Sequence, residues 1–371
     1  MILHLISDDK FADYAIRQFY GVSNNSHFVV ILDSETEIRH IKQIDKVEIV
    51  ILNSSKYQEL LINLSTYSAI VVHGLFFPWQ EQIILSAPEH IKIAWVFWGG
   101  EIYGRKEIRK KYLSTLSKFV LFLKNTKDTR KNLLNNTKKY FPNKLTFKRI
   151  HYCLTDVEED FKIVQARFNP KIMAMWYNYY SIEETTGTLR FSRVKGNNIL
   201  VGNSGTLENN HLNIFFRLRK FNLNHSKIIV PLSYGENWII HFLKKIGLLF
   251  FKENFLPLTD FMEREEYNKL LLSCAIVIMP HYRPQAMGNI LTTLWLGSKV
   301  YLSNRNPLNS YFKSLGIHIF SIENDLKPSN RKALLPLEKE MVEQNRKILM
   351  QQYGLENVMK KTKLIVNTLS E

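Results

Sequence analysis

Two glycine-bearing loops contain the residues of this chain that are best suited to binding an anion. The first, residues 202–206, combines glycines that allow close backbone approach with hydroxyl groups that can donate hydrogen bonds. The second, residues 280–288, contains Arg283 and leads into an apolar helical stretch. A helix N-terminus offers unpaired backbone N–H groups and the positive end of the helix dipole. Together the two loops are suited to holding a diphosphate.

Each loop also has a simpler interpretation. Pro280 and Pro284 can merely shape a connection, and residues 202–206 can form an ordinary turn between a strand and a helix. Both loops, however, follow runs that have the composition of buried strands, residues 198–201 and 275–279. This paired occurrence favours a binding role.

The elements that position these loops alternate between strand and helix along the whole chain. In the second half, strands are predicted at residues 198–201, 227–232, 247–251, 275–279 and 299–302. In the first half, they are predicted at residues 2–7, 27–32, 47–52, 69–73 and 91–97. Apolar strands that alternate with helices predict a parallel sheet covered on both faces.

The length of 371 residues favours more than one domain. We predict a first doubly wound domain at residues 1–185, a polar linker at 183–195, a second domain at 196–335 and a helical C-terminal segment at 336–371 that is interrupted near Gly354. The longest apolar runs are far shorter than the ~20 residues of a membrane span. The two cysteines are isolated and indicate neither a disulfide framework nor a zinc site.

The positive charge of the chain is concentrated in one block. The formal net charge is +16, and residues 105–150 contain 15 Lys or Arg against two acids. Such a block is typical of binding to nucleic acid, an anionic membrane or an anionic substrate. Within it, apolar residues recur at helical spacing beside lysines: Tyr112, Leu113, Leu116, Phe119, Val120 and Leu123, with Lys110, Lys111, Lys118 and Lys124. This pattern fits a helix lying on acidic lipid and equally a core-facing helix with a basic outer side.

An ordered set of motifs resembles one enzyme family. It consists of WGGEIY at residues 98–103, ILVGNSG at 199–205, Asn210-His211, IVPLSYG at 229–235 and RPQAMGN at 283–289. The set is similar to the bacterial TDP-N-acetylfucosamine:lipid II transferases, and the similarity extends over roughly residues 70–325. The resemblance implies a GT-B fold, with two Rossmann-like domains facing a cleft.

The resemblance also implies an activity and its site. The expected reaction transfers a 4-acetamido-4,6-dideoxyhexose from a TDP-sugar to a polyprenyl-diphosphate-linked saccharide, in enterobacterial common antigen or O-antigen synthesis at the cytoplasmic face of the inner membrane. No metal or other cofactor is expected. The donor-binding residues expected on this basis are Gly202, Asn203, Ser204, Gly205, Ser233, Tyr234, Arg283, Gln285, Gly288 and Asn289. An anionic membrane surface would be contacted by Lys110, Lys111, Lys118 and Lys124.

The sequence departs from the wider GT-B pattern where many retaining enzymes place an acid that binds the ribose. Thr292 and Thr293 occupy that region, so the stereochemical outcome stays open. An inverting reaction needs a general base. We predict Glu101 in this role, with Asp8, Asp9 and His73 as further candidates at strand ends; Glu101 can instead cap the following helix. Asp33 and Glu35 follow a strand end, where acids are common, and we assign them no metal.

Two alternatives remain open from the sequence. The enzyme can use another nucleotide sugar in O-antigen or capsule synthesis. In a different class, the basic block is compatible with a non-enzymatic nucleic-acid-binding protein, although it contains no nucleic-acid-binding motif.

Overall fold

A computed structural model describes residues 1–35, 37–128, 140–223 and 225–371. The strands are β1 (Ile2–Ile6), β2 (Ser26–Leu32), β3 (Val47–Ile51), β4 (Ala69–His73), β5 (Lys92–Val96), β6 (Tyr152–Leu154), β7 (Met173–Met175), β8 (Asn198–Val201), β9 (Ile228–Pro231), β10 (Phe255–Leu258), β11 (Cys274–Met279), β12 (Lys299–Leu302) and β13 (Phe320–Ser321). The helices are α1 (Ala12–Val22), α2 (Ser55–Ile62), α3 (Pro78–Ser86), α4 (Gly100–Tyr103), α5 (Lys106–Arg109), α6 (Thr115–Asp128), α7 (Lys144–Arg149), α8 (Glu158–Arg167), α9 (Ile182–Thr186), α10 (His211–Leu218), α11 (Asn237–Phe251), α12 (Arg264–Leu271), α13 (Met287–Leu296), α14 (Pro307–Ser314), α15 (Lys339–Tyr353) and α16 (Leu355–Ser370).

The chain forms two units, each assembled from separate segments. Unit 1 contains Met1–Arg105, Thr137–Ser181 and Leu355–Glu371, and unit 2 contains Lys106–Asn136 and Ile182–Gly354. These limits differ from the predicted domains. The segment that begins with α5 and the predicted linker belong to unit 2, and the predicted C-terminal segment is divided, with α15 in unit 2 and α16 in unit 1. A pattern of strands and helices gives the order of elements but not the sheet on which each helix packs.

Unit 1 is built on a seven-stranded sheet in the order β3-β2-β1-β4-β5-β6-β7. All neighbouring strands are parallel. The central strands β1 and β4 are buried along their whole length, as expected for a sheet covered on both faces. The chain leaves β1 towards one edge of the sheet and β4 towards the other, so the direction of winding reverses between these two strands. Ligands of doubly wound sheets bind at such a reversal.

The C-terminal helix completes the core of unit 1. Ile365, Val366 and Leu369 of α16 lie in the same buried cluster as Ala15 and Phe19 of α1. The Cε atom of Met359 fills the space above Gly21, where a Cβ atom would lie 2.7 Å from it. The polar composition of this helix is thus confined to one face, and the other face is part of the core.

Unit 2 is built on a six-stranded sheet in the order β10-β9-β8-β11-β12-β13, again with parallel neighbours. Strand β11 is buried at all six positions. Here the winding reverses between β8 and β11. The loops after these two strands are the two anion-binding candidates of the sequence, and the topology brings them to the same edge of one sheet.

The fold class predicted from the sequence is confirmed: two Rossmann-like units with a helical C-terminal segment that breaks at Gly354. The strand predicted at residues 247–251 is wrong, because this run is the last part of α11. Ile239, Leu243 and Gly247 are buried along one side of that helix at a spacing of four residues. The strand of this region is β10, where a proline weakened the strand pattern.

The predicted linker at residues 183–195 is packed in unit 2. The indole N–H of Trp295 donates to the carbonyl of Arg190 at 2.8 Å, and the side-chain amide of Asn268 donates to the carbonyl of Thr185 at 2.8 Å. Hydrogen bonds from neighbouring elements to its backbone therefore hold this segment against unit 2.

The basic block does not form one amphipathic helix. Residues 110–112 form a 3₁₀ turn, Leu113 is buried, and α6 begins only at Thr115. Leu116 and Val120 pack on the unit 2 core. Other apolar side chains of α6 face outwards, with 56% of Phe119, 62% of Phe122 and 44% of Leu123 exposed. None of the helices in the described residues combines the length and hydrophobicity needed to cross a bilayer.

Candidate active site

Three loops of unit 2 leave neighbouring strands at the reversal point of the sheet. They are residues 202–206 after β8, 232–236 after β9 and 280–286 after β11, and we call them the unit 2 rim. Side chains join them in series. Gln285 Nε2 donates to Asn203 Oδ1 at 3.0 Å, and Asn203 Nδ2 donates to Tyr234 Oη at 3.1 Å. The rim thus contains one predicted donor-binding residue from each loop in a single hydrogen-bonded chain.

Two glycines bring the first two loops of the rim into backbone contact. The N–H of Gly205 donates to the carbonyl of Tyr234 at 2.8 Å, and the N–H of Glu236 donates to the carbonyl of Gly205 at 3.0 Å. Gly235 has φ +138°, and a Cβ atom there would lie 2.3 Å from the Gly205 oxygen. Only glycine is compatible with this approach.

Residues of α10 and of the turn before it hold the first loop in place. Gly202 has φ +70°, and its missing Cβ atom would lie 2.5 Å from Nε2 of His211. Asn209 accepts the N–H of Asn203 at 3.1 Å and donates to Ser204 Oγ at 2.9 Å. Ser204 is buried, and its hydroxyl supports the loop by accepting this hydrogen bond. Ser233 is exposed, and Tyr234 leaves 55% of its surface exposed.

The third loop delivers a helix N-terminus to the rim. Helix α13 begins at Met287, and its N-cap Ala286 has φ +59°, a left-handed conformation that a residue with a Cβ atom adopts only at a cost. Gly288 and Asn289 lie in the first turn, where backbone N–H groups have no partner within the helix. Arg283 is half-buried, and one of its Nη atoms donates to the carbonyl of Pro284 at 3.1 Å.

Two buried histidines, His211 and His281, lie beneath or within the loops of the rim. Burial lowers the pKa of His211 to about 3, and burial, with a smaller contribution from Arg283, lowers the pKa of His281 to about 3. Asn306 Nδ2 donates to His281 Nδ1 at 2.9 Å, which holds this ring in place. Both imidazoles are therefore neutral at physiological pH. The positive potential of the rim comes from Arg283 and the end of α13.

One arginine pairs with two carboxylates, of which Glu236 lies in the second loop of the rim and Glu208 follows the first loop. Arg109 forms ion pairs with both Glu208 and Glu236. Sequence analysis missed this cluster, because its members are separated by up to 127 residues. Asn209, His281 and Asn306 were also missed; the only available signal was the proximity of the first two to a predicted strand end.

The region in which a ribose-binding acid was sought is part of the core. Thr292 and Thr293 are buried in α13, and the hydroxyl of Thr293 donates to the carbonyl of Asn289 at 2.8 Å. Neither threonine reaches the rim surface. Within the described residues, no group of three or more His, Cys, Asp or Glu side chains is placed to hold a metal ion.

The candidate bases of unit 1 have structural partners. Glu101 is 1% exposed, and its Oε1 accepts from Leu75 N, Trp98 N and Trp95 Nε1, each at 3.2 Å. Burial raises its pKa to about 7. The carboxylate connects the segments after β4 and β5 from the inside, which supports a structural role for Glu101 beside the predicted role as a base.

His73 and Asp8 also form hydrogen bonds within unit 1. His73 is buried between His4, whose Nδ1 lies 3.2 Å from its Nε2, and Tyr179, whose hydroxyl lies 3.0 Å from its Nδ1. Burial lowers the pKa of His73 to about 3. Asp8 accepts the backbone N–H groups of Arg39, His40 and Ile41 at 2.7–3.0 Å. These positions support structural roles for both residues.

The predicted membrane lysines belong to unit 2 and are not equivalent. Lys110, Lys111 and Lys118 are exposed. Lys124 is half-buried, and its Nζ lies 4.5 Å from the centre of the Trp238 ring. A cation–π contact of this kind orients Lys124 towards α11.

More than half of the chain matches a known protein family. The model of the 4-alpha-L-fucosyltransferases, glycosyl transferase group 56, matches residues 134–350, which is more than half of the chain. The chain belongs to this glycosyltransferase family. The family agrees with the resemblance seen in the motifs and makes the protein a glycosyltransferase enzyme.

Solved structures agree with the fold of this glycosyltransferase. A glycosyltransferase from Rickettsia africae is 14% identical, with a TM-score of 0.61 over 99% of this chain and 98% of its own. Anabaena HepE, solved with UDP and glucose, is 12% identical, with a TM-score of 0.58 over 100% and 99%. WaaG, a glycosyltransferase of lipopolysaccharide biosynthesis, is 9% identical, with a TM-score of 0.54 over 100% of both chains. Similarity at this level supports the GT-B fold alone.

Proposed function

We propose that this glycosyltransferase moves a 4-acetamido-4,6-dideoxyhexose from a TDP-sugar to a polyprenyl-diphosphate-linked saccharide, in enterobacterial common antigen or O-antigen synthesis. The observation that carries the proposal is the unit 2 rim, where Arg283 and the N-terminus of α13 lie in one loop beside the glycines of the other two. Three of the five motifs on which the family resemblance rests include residues of the rim.

The rim suits a nucleoside diphosphate as the leaving group. Negative charge builds up on the phosphate oxygens as the bond to the sugar breaks, and oriented N–H groups and a guanidinium stabilise such charge. The left-handed N-cap Ala286 turns the chain into α13 at this point. Tyr234, exposed over about half its surface, offers an aromatic face for a ring of the donor.

The acceptor lipid requires the enzyme to work at a membrane surface, which we propose to be the cytoplasmic face of the bacterial inner membrane. On α6, Phe119, Phe122 and Leu123 are exposed beside Lys118, and Lys110 and Lys111 precede the helix. Aromatic and basic side chains of this kind bind anionic interfaces. Lys124 contributes less, because it packs over Trp238.

Two alternatives differ in their ligands. A donor with another base or sugar would fit a transferase of O-antigen or capsule synthesis. A nucleic-acid-binding protein would use the same basic surface, but the family match and the rim favour catalysis on a nucleotide sugar.

Calorimetry with TDP, UDP, GDP and ADP tests the donor assignment. We expect TDP to bind most tightly, and we expect the Arg283→Ala variant to lose about 10- to 100-fold in TDP affinity, as the loss of a charge-assisted contact implies. Arg331→Ala, an exposed position in the same unit, is the matched control. Preference for another nucleotide would favour the first alternative, and unchanged TDP affinity in Arg283→Ala would remove this side chain from the site.

A further inference from the structure

The sheet of unit 1 has a reversal point of its own, between β1 and β4. The segments that leave this point are residues 7–11 after β1 and residues 74–77 after β4, and these two strands are direct neighbours. Residues 97–99 follow the next strand, β5. Doubly wound sheets bind their ligands at such a place.

The two acids after β1 differ in how their carboxylates are used. Asp8 accepts three backbone N–H groups of the segment 39–41, which leaves it little capacity for a ligand. The carboxylate of Asp9 accepts a single hydrogen bond in the described part of the chain, from the N–H of Phe11 to Oδ1 at 2.6 Å. Asp9 is also half-exposed. One carboxylate at the reversal point is thus available to a substrate hydroxyl.

Aromatic rings from the same loops pack against one another at this end of the sheet. The ring of Phe11 stacks on Tyr179 with centroids 5.0 Å apart and meets Trp98 edge-on at 5.1 Å, while Phe76 lies 5.6 Å from Trp98. Trp98 Nε1 donates to Tyr179 Oη at 2.8 Å, which fixes the indole. Phe76 and Trp98 are only half-buried. Apolar rings with a few polar groups among them are the usual lining of a small-ligand site.

The charged groups around Asp9 adjust its proton affinity. Burial raises the pKa of Asp9 to about 6, and the neighbouring Asp8 adds to the rise. The Phe11 hydrogen bond, His40 from the segment facing the loop and Lys10 act in the opposite direction. Tyr179 is buried, and burial raises the pKa of its hydroxyl, so this side chain stays neutral. A carboxylate of this kind is ionised at neutral pH and more basic than an ordinary aspartate.

We propose that Asp9, Phe11, Phe76 and Trp98 form the acceptor-saccharide subsite and that Asp9 is the general base of transfer. The inference rests on the proposed function. The acceptor hydroxyl oxygen forms a bond to the anomeric carbon of the donor, and the bond from that carbon to the phosphate oxygen breaks. The nucleoside diphosphate leaves with the electron pair of that bond, and the hydroxyl proton passes to the Asp9 carboxylate.

The experiment compares variants in a transfer assay. The donor is TDP-4-acetamido-4,6-dideoxygalactose, and the acceptor is the polyprenyl-diphosphate saccharide fraction extracted from bacterial membranes. Asp9→Asn should lower kcat by about 100-fold or more while TDP affinity by calorimetry is unchanged. Asp45→Asn, an exposed acid of the same unit, should leave kcat unchanged. Phe76→Leu should raise the KM for the acceptor and affect kcat much less.

The pH profile separates a base from a residue that only supports the fold. In the wild type, kcat should fall on the acid side with a midpoint near pH 6. Asp9→Glu, which keeps the carboxylate, should retain this acid limb at reduced kcat, and the residual activity of Asp9→Asn should lack it. A wild type that transfers sugar while Asp9→Asn keeps both kcat and the acid limb would overturn the assignment of Asp9 alone. A wild type without transfer from the TDP-sugar would overturn the proposed function, and the role of Asp9 with it.

Discussion

The backbone N–H of Trp98 donates to Oε1 of Glu101 at 3.2 Å, which ties the loop after β5 to the helix that follows it. The same oxygen accepts from Leu75 N and Trp95 Nε1. One buried oxygen therefore holds three donors from three places in the chain, and the loops next to the proposed acceptor subsite depend on it.

Removing this acceptor should destabilise unit 1. Glu101→Ala leaves three buried donors without a partner, and each costs about 1–3 kcal/mol, so we expect a loss of about 3 kcal/mol or more in the free energy of unfolding. Glu101→Gln retains an oxygen at the same position and should lose much less. Urea unfolding of both variants measures the difference, and equal stability of Glu101→Ala and the wild type would contradict this role.

Glu101 should also make stability depend on pH. The folded chain keeps the Glu101 proton up to about pH 7, whereas the unfolded chain releases it near the ordinary value of 4.5. The free energy of unfolding should therefore fall as the pH rises from about 4.5 to 7 and this contribution should then level off. Because Glu101→Gln lacks this titration, its stability relative to the wild type should increase between pH 5 and pH 8. A constant difference over this range would show that the carboxyl titrates alike in both states.

The contact between Gly235 and Gly205 should control nucleotide binding. A Cβ atom at Gly235 would strike the Gly205 carbonyl, so Gly235→Ala must separate two loops of the unit 2 rim. We expect TDP affinity to fall at least about 10-fold, which corresponds to about 1.4 kcal/mol. Gly187→Ala is the matched control, because Gly187 also has positive φ but none of the described residues places an atom within 4 Å of its Cβ position. Equal TDP affinity in both variants would show that the loop contact is not needed.

The outward face of α6 should attach the enzyme to anionic bilayers. We expect co-sedimentation with phosphatidylglycerol vesicles, little with neutral vesicles, and release by high salt. Exchanging Lys110, Lys111 and Lys118 for Gln should weaken binding, since each lysine near the surface contributes about 1 kcal/mol. The combined substitution Phe119→Ser and Phe122→Ser should weaken it further and leave TDP binding intact.

Charge removal elsewhere provides the control for this surface. The exposed lysines Lys313, Lys339 and Lys347 of the same unit, changed to Gln, alter the net charge by the same amount. If both triple variants bind vesicles equally, net charge and not α6 determines the attachment. If the wild type prefers RNA to vesicles at physiological salt, the nucleic-acid alternative regains support.

The sequence predicts nine of the thirteen strands in the described residues, because these nine are apolar and bounded by turn residues. It misses β6, β7 and β13, which have only two or three residues each, and β10, which contains a proline. It also predicts which loops meet in the unit 2 rim, since residues 202–206 and 280–288 both follow strands. It fails where a run is apolar without a clear period, as at residues 247–251. Such a run fits a strand and a buried part of α11 equally well.

Side-chain environment was the less predictable part of the site. Glu101 follows two glycines, and nothing in this local pattern indicates that the fold buries its carboxylate. Asp8 and Asp9 are adjacent and chemically identical. They differ because the backbone N–H groups of the segment 39–41 donate to the carboxylate of Asp8 and not to that of Asp9. The pairing of Arg109 with Glu208 and Glu236 depends on contacts across more than 90 residues. No local pattern encodes such relationships.

The return of the chain to unit 1 for its last helix has a consequence for biosynthesis. Helix α16 leaves the ribosome after every element of unit 2. The apolar surface of α1 that packs against Ile365, Val366 and Leu369 therefore stays uncovered until the end of translation. Burying one such side chain is worth about 1.5–3 kcal/mol. During translation, unit 1 is therefore an unfinished domain with an open hydrophobic face, and chaperones that recognise such surfaces should be found on nascent chains until α16 emerges.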